Sequence, residues 1–205
     1  MKYYIIANNT KITQQSINKL ELDGENLLVL FNYLWPLRFQ EVLDYENKIC
    51  ISRKGTCRKH SNDRPNRYFN IVNIRGDQDL FKKIYFLPHP SQTSITNRGV
   101  LEREIAQHNF DKKKLGILDS NFINPNNHLL YPLIAGTISM STGLQAYEYF
   151  KNTKNNNDDI ILVGFDSNVS NSWHNSRWEK MYMLRQIYMD KCDFIQSYNL
   201  TERIL

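Results

Sequence analysis

Residues 27–31 read Leu-Leu-Val-Leu-Phe, and residues 160–163 read Ile-Ile-Leu-Val. Each run is continuously apolar, and each is followed by a turn-forming residue, Asn32 in one case and Gly164 in the other. An apolar run of this length predicts a strand that is buried on both faces, which is typical of a parallel sheet covered by helices. These two segments therefore decide the fold class.

The segments around these two runs alternate between strand and helix patterns. Further strands are predicted at Tyr3–Ala7, Lys48–Ser52, Tyr68–Ile74, Lys83–Leu87, Leu115–Leu118 and Asp193–Ser197. Helices are predicted at Thr13–Leu20, Pro36–Tyr45, Asn97–Phe110, Leu144–Lys151 and Ser176–Met189. In the last helix a spacing of three to four residues relates Trp178, Met181, Tyr182, Arg185 and Met189, as on one helix face. This alternation predicts an α/β fold, a doubly wound and mostly parallel Rossmann-like sheet flanked by helices.

The chain has 205 residues, a length that suits one domain over residues 1–205. Two loops stand out within it. Residues 53–67 are rich in Arg and Lys and predict a basic loop, whose alternative interpretation is a solvated charged segment. Residues 167–175 are polar and form a candidate lid or active-site loop.

Composition narrows the class of protein. Hydrophobic residues make up 41% of the chain, enough to build a core, which excludes a disordered tail. No apolar run reaches the roughly 20 residues of a membrane helix, and no signal peptide is recognised, so we expect a cytoplasmic protein. The 3 cysteines exclude a disulfide scaffold. The net charge of +5 predicts an anionic partner: a nucleotide, phospholipid headgroups, an acidic glycan or a nucleic acid.

Polar residues follow three of the predicted strands. They are Asn8-Asn9-Thr10 after the first, Asn32 after the second, and Gly164-Phe165-Asp166 after the run at 160–163. Ligands of doubly wound sheets bind beyond the carboxyl ends of the strands, and asparagine amides can both donate and accept hydrogen bonds. The alternative interpretation is that these asparagines serve only the turns.

Ser141-Thr142-Gly143 opens a predicted helix. The free amides of a helix N-terminus can hold a phosphate, and the alternative is a simple N-cap. Neither a glycine-rich dinucleotide fingerprint nor a phosphate-loop lysine is present, which argues against the NAD and ATP enzymes of those classes.

His174 lies in the polar loop before the last helix, near Trp173 and five positions before Glu179. An imidazole near neutral pKa suits a general base, and the alternative is an exposed loop histidine.

Asp77 and Asp79 form an Asp-x-Asp pair, a motif that binds a metal in many nucleotide-sugar transferases. The motif is short and very common, so a pair of carboxylates at a helix start is the favoured interpretation. The spacing of the 5 histidines predicts no metal site.

Taken in order, these motifs resemble those of sialyltransferases. Ser-Thr-Gly at 141–143 precedes a helix and an apolar strand that ends in Gly164-Phe165-Asp166. Farther along the chain His174 precedes Glu179, with four residues between them. Residues 5–10 (Ile-Ile-Ala-Asn-Asn-Thr) and 31–33 (Phe-Asn-Tyr) are similar to elements of the bacterial family. The resemblance covers about residues 2–33 and 138–189.

The resemblance implies a metal-independent, inverting glycosyltransferase of lipopolysaccharide or capsule synthesis, without a cofactor. Its donor would be CMP-sialic acid, with CMP-Kdo as the alternative, and its acceptor a cell-surface glycan or a lipid-linked oligosaccharide. His174 would be the general base, with Trp173 and Glu179 in supporting roles. The implied nucleotide-binding residues are Asn9, Thr10, Asn32, Ser141, Thr142, Gly143, Gly164, Phe165 and Asp166. An anionic membrane surface at the inner face of the cell membrane is a further partner to test. A basic nucleic-acid-binding module and a non-catalytic nucleotide-binding relative remain the alternatives.

Overall fold

The computed structural model describes residues 1–31, 35–53, 78–87, 102, 111–119, 122, 141–165, 176–189 and 192–196. The predicted strand Tyr68–Ile74 lies outside this part of the chain, as do residues 54–67 of the basic loop and residues 167–175. Of the predicted helix Asn97–Phe110, only Glu102 is described.

Seven described strands form one sheet in which every neighbouring pair is parallel. They are β1 (Lys2–Ile6), β2 (Leu27–Phe31), β3 (Lys48–Arg53), β4 (Lys83–Leu87), β5 (Leu115–Ile117), β6 (Asp159–Val163) and β7 (Asp193–Ile195). Their order across the sheet is β5-β4-β3-β2-β1-β6-β7. In the register, Tyr3 of β1 lies between Leu27 of β2 and Ile160 of β6. The chain winds outward from β1 in both directions, so the predicted doubly wound sheet is confirmed.

Four α-helices and two short 3-10 helices are described around this sheet. They are α1 (Gln14–Ile17), α2 (Gln40–Asp44), α3 (Thr142–Thr153) and α4 (Ser176–Tyr188), with 3-10 turns at Trp35–Arg38 and Gln78–Leu80. The helix predicted over Thr13–Leu20 is therefore only one turn long, and Thr13 is its N-cap. The single helix predicted from Pro36 to Tyr45 is wrong as well, because Phe39 is extended (φ −90°, ψ 126°) and buries its ring in the core between two shorter helices.

The two faces of the sheet carry separate apolar cores, because successive side chains of a strand point to opposite faces. On one face Ile6 and Leu30 pack with Ile17 and Val42, which belong to the α1 and α2 side. On the other face Ile5, Val29 and Leu162 pack with side chains from α3 and α4, including Leu144, Phe150 and Met183. The sheet is thus covered on both faces, which explains why its central strands are continuously apolar.

The inward face of α4 differs from the one that the sequence spacing indicates. Met181, Arg185 and Met189 are exposed, whereas Glu179, Met183 and Gln186 are buried. Tyr182, which belongs to the face that the spacing indicates, and Ile187 are half-buried and pack against the same core. The described inward face of α4 is therefore part apolar and part polar, and a second apolar stripe is left in solvent. No helix in the described part of the chain has the length and apolar character needed to cross a bilayer.

Candidate functional site

The order of the strands reverses at β1, which lies between β2 and β6. In doubly wound sheets the crevice for ligands opens at the carboxyl ends of the strands beside such a reversal. Here that place is bordered by residues 7–10 after β1, by Phe31 at the end of β2, and by Gly164 and Phe165 after β6. The three strand ends that were predicted to carry ligand-binding residues are therefore neighbours.

Asn9 ties the ends of β1 and β6 together. Its buried side chain donates a hydrogen bond from Nδ2 to the carbonyl oxygen of Gly164 at 2.8 Å, and its Oδ1 accepts one from the amide of Lys11 at 2.9 Å. Both ends of the carboxamide thus bind the protein's own backbone, which fits the interpretation of a strand-end asparagine as a turn residue. Asn9 shapes the floor of the crevice.

Asn8 carries a buried side-chain oxygen at the same place. It is one of the polar residues after the first predicted strand, but not one of the nucleotide-binding residues that the resemblance implies. Its Oδ1 is shielded from solvent and has no hydrogen-bond partner among the described residues. Leaving such an acceptor unpaired costs about 1–3 kcal/mol, so buried acceptors without a partner are rare. The sequence signal for Asn8 was its place directly after the predicted strand Tyr3–Ala7.

Gly164 makes the sharp turn that ends β6. Its φ is +72°, a conformation that residues with a side chain rarely adopt, and a Cβ placed there would lie 2.6 Å from Cγ1 of Ile12. Its amide donates to the carbonyl oxygen of Ile195 at 2.9 Å, next to the Asn9 contact on its own carbonyl. The resemblance implies a nucleotide contact at Gly164, and among the described residues the neighbour that requires glycine is Ile12.

The Ser141-Thr142-Gly143 segment begins α3 at the edge of this crevice. Ser141 is the N-cap, and its Oγ accepts a hydrogen bond from the amide of Leu144 at 3.2 Å. A Cβ on Gly143 would lie 2.6 Å from Cε1 of Phe165 and 3.8 Å from Cε2 of Phe31. The helix start therefore packs against the ends of both β6 and β2, and spans the strand between them.

The cap provided by Ser141 does not pair all of the first amides of α3. The amides of Thr142 and Gly143 have no acceptor among the described residues, whereas the amide of Leu144 is capped. The first amides of a helix carry its partial positive charge, and they are a common binding place for phosphates and carboxylates.

Glu179 joins α4 to this helix start. Its buried carboxylate accepts a hydrogen bond at Oε1 from the amide of Ser141, with a length of 2.7 Å. The segment that begins α3 and the segment that follows His174 in the sequence are thereby held together, although 38 positions separate their two contacting residues. The sequence offered no means of pairing them beyond an acid in the first turns of α4.

Arg38 is a basic residue at this edge that the sequence analysis did not select. Its guanidinium donates to the carbonyl oxygens of Thr10 and Ile12, and it stacks over the ring of Phe39 at 4.6 Å. Desolvation lowers the pKa of Arg38 from its usual value, but a guanidinium stays charged at neutral pH. The exposed Thr10, predicted to bind nucleotide, is held here through its backbone.

Several predicted site residues are not placed by the structure. His174, Trp173, Asn32 and Asp166 lie outside the described residues, so the general base and two of the predicted nucleotide contacts stay predictions.

The Asp-x-Asp pair does not belong to this crevice. Asp79 lies in the 3-10 turn that leads into β4, at the amino edge of the sheet, and pairs with Lys114 at 2.8 Å; Asp77 is outside the described residues. The crevice lies at the opposite edge, so Asp79 cannot contribute to it. Among the described residues, no group of three or more His, Cys, Asp or Glu side chains is arranged to hold a metal ion.

A partly buried polar cluster lies between α3 and α4, next to Cys192, the residue before β7. Glu148 is fully buried, and its carboxylate accepts hydrogen bonds from Lys151 at 3.3 Å and from the hydroxyl of Tyr182. Burial, as the largest cause, raises the pKa of the Cys192 thiol to about 11 and raises the pKa of Tyr147 well above its usual range. Both groups are therefore neutral and unreactive at physiological pH.

Comparison with known proteins gives no family for this chain: no protein-family model, no curated protein and no solved structure matches it. The interpretation of the crevice therefore depends on its own residues and geometry.

Proposed function

We propose that this protein is an inverting glycosyltransferase that moves a sialic acid or a related ulosonic acid from a CMP-activated donor to a sugar hydroxyl of a glycan. One observation carries the proposal. The segments of the sialyltransferase resemblance whose positions are described meet at one edge of the sheet: the start of α3, the turn at Gly164 and Phe165, and Glu179 of the last motif.

In this arrangement the donor phosphate would lie at the start of α3. The amides of Thr142 and Gly143 would hold its oxygens, because they have no acceptor among the described residues and lie at the positive end of α3. Arg38, through its charge, would favour an anionic donor at the same edge. The unpaired Oδ1 of Asn8 would accept a hydrogen bond from the ligand.

The reaction would follow from the role that the resemblance implies for His174. The imidazole takes the proton of the acceptor hydroxyl while the hydroxyl oxygen attacks the anomeric carbon of the donor sugar. The bond between that carbon and the phosphate oxygen breaks. CMP leaves with the electron pair of that bond. The helix start would stabilise the charge that gathers on the phosphate.

The first experiment is nucleotide-dependent thermal stabilisation. CMP at 100 times its dissociation constant should add about 2.7 kcal/mol to the unfolding free energy. That corresponds to a rise of about 5–10 °C in melting temperature for a chain of this size. Equal stabilisation by UMP and GMP would contradict a CMP site, and a salt-dependent gel shift without any CMP effect would favour the nucleic-acid-binding alternative.

A backbone substitution tests the helix start itself. Thr142→Pro removes one amide donor at the first position of a helix, where proline is well tolerated. The preceding Ser141 already has the extended conformation (φ −61°, ψ 156°) that proline requires of its neighbour. Thr142→Pro should fold normally and lose most of its CMP affinity, whereas Thr142→Ala keeps the amide and should bind CMP as the wild type does. Equal CMP affinity in both variants would contradict binding at this helix.

Turnover separates a transferase from a non-catalytic relative. CMP release should be measured with CMP-sialic acid and CMP-Kdo, with and without a chelator. We expect release with one of the two donors and no effect of the chelator. CMP binding without release from either donor would favour the non-catalytic alternative. Loss of activity in the chelator, restored by Mn²⁺, would contradict the metal-independent mechanism.

A further inference from the structure

The outward face of α4 is apolar over most of its length. The exposed fractions are 65% for Met181, 52% for Leu184, 88% for Tyr188 and 47% for Met189. These four residues are here named the outer stripe and stand at positions i, i+3, i+7 and i+8. The first three belong to α4, and Met189 follows its last residue. The amide of Met189 donates to the carbonyl oxygen of Arg185 at 3.0 Å, as in a further helical turn, so all four share one face. The stripe extends about 12 Å along the helix axis.

The stripe is not needed to hold α4 in place. The opposite face buries Met183, Glu179 and Gln186, and Gln186 accepts a hydrogen bond from the hydroxyl of Tyr147 at 3.3 Å. Isolated exposed apolar residues are common in proteins. Four of them side by side on one helical face form a patch, which is typical of a surface that binds a partner or a membrane.

The charges of α4 indicate which occupant suits the stripe. Arg185 is exposed within it and has no ion-pair partner among the described residues, and Lys180 lies at its border. The only acidic residue of α4 is Glu179, which is buried and bonded to the amide of Ser141. Over residues 179–188, whose side chains are described, the exposed surface of α4 is therefore apolar and basic, on a chain of net charge +5.

We propose that the outer stripe of α4 docks this protein on an anionic phospholipid surface. An apolar face with arginine or lysine at its edges lies in the membrane interface, where its side chains enter the acyl boundary and its cations meet the headgroups. A second copy of the chain suits the stripe less well. A two-fold axis through its centre would bring Arg185 against Arg185 of the partner, and like charges repel. The proposal holds whether or not the crevice transfers a sugar.

The experiment measures binding of the full chain to lipid vesicles by flotation. Vesicles with about 30% phosphatidylglycerol in phosphatidylcholine should capture the protein, and vesicles of phosphatidylcholine alone should not. The double variant Met181→Ser/Leu184→Ser should bind the anionic vesicles on the order of 100-fold more weakly, since both inserted side chains are lost. Arg185→Glu should weaken binding on the order of 10-fold.

Lys19→Glu is the matched control for charge. Lys19 is exposed just after α1, on the opposite face of the sheet, so the same charge change there should alter binding by less than about threefold. All variants should melt within about 2 °C of the wild type, since they change exposed side chains only. CMP stabilisation, measured in parallel, should be unchanged in every variant.

Three results would overturn the proposal. The first is wild-type protein that stays unbound to anionic vesicles at low salt. The second is equal binding by wild type and the double variant. The third is a wild-type dimer that the double variant converts to a monomer, because the stripe would then be an interface between copies of the chain.

Discussion

Replacing Gly164 by alanine should destabilise the fold strongly, although the change adds a single methyl group. The added Cβ would lie 2.6 Å from Cγ1 and 2.7 Å from Cδ1 of Ile12, a side chain that is itself buried in the core. The backbone conformation at Gly164 (φ +72°) adds a second penalty, because it is unfavourable for any residue with a Cβ.

The magnitude follows from these two terms. A left-handed conformation costs a residue with a side chain about 1–2 kcal/mol, and overpacking a filled core costs about 1–3 kcal/mol. Their sum is about 2–5 kcal/mol of unfolding free energy, which is a large part of the stability of a typical domain. For a chain of this length it lowers the melting temperature by about 4–20 °C.

Urea and thermal unfolding measure this loss, and Gly24→Ala is the matched control. A Cβ on Gly24 would meet nothing within 4 Å, and no positive φ is present there. The same substitution should therefore be neutral, or stabilise by about 0.4–1 kcal/mol through the unfolded chain. A melting temperature for Gly164→Ala equal to that of Gly24→Ala would refute the reasoning.

A double variant separates the steric term from the backbone term. Ile12→Ala removes the two atoms that the new Cβ would meet, so its own cost and that of Gly164→Ala should not add. We expect the double variant to be more stable than the sum by about 1–3 kcal/mol, which is the steric part. Strict additivity would show that the cost lies in the backbone alone.

Three further predictions concern the site and the core. Asn9→Ala should destabilise the protein by about 2–3 kcal/mol in urea unfolding. The change removes the hydrogen-bond partner of the Gly164 carbonyl and that of the Lys11 amide. Stability should fall as the pH rises from about 9 towards 11, because burial raises the pKa of Cys192 to about 11 in the folded protein. In this pH range the Cys192 thiol ionises in the unfolded chain before it ionises in the folded protein, which favours unfolding. Cys192→Ala should therefore reduce the fall in melting temperature. His174→Ala should lower CMP release about 10²–10⁴-fold and leave CMP stabilisation unchanged, whereas His108→Ala should leave both unchanged; near-normal turnover in His174→Ala would contradict its role as the base.

The strands of this protein could be predicted from the sequence because their signal is local. The run Leu27–Phe31 is a strand with the predicted bounds, and the run at 160–163 lies within β6 (Asp159–Val163). The start of α3 was also recognised, since Ser141 provides the cap that its residue type favours. Short-range preferences of this kind act within a few residues, so the sequence determined the fold class and the segments that reach the carboxyl edge of the sheet.

The direction in which α4 faces was decided by the tertiary structure alone. Apolar residues stand on both sides of this helix, so its spacing did not distinguish Met181 from Met183. On the buried side Met183 packs into the apolar core beside α3, and the buried carboxylate of Glu179 accepts a hydrogen bond from an amide at the start of that helix. That amide belongs to Ser141, and no local pattern relates two residues 38 positions apart that meet because α3 and α4 pack on the same face of the sheet. A helix can bury only one face against the sheet, so the apolar residues of the other side were left in solvent.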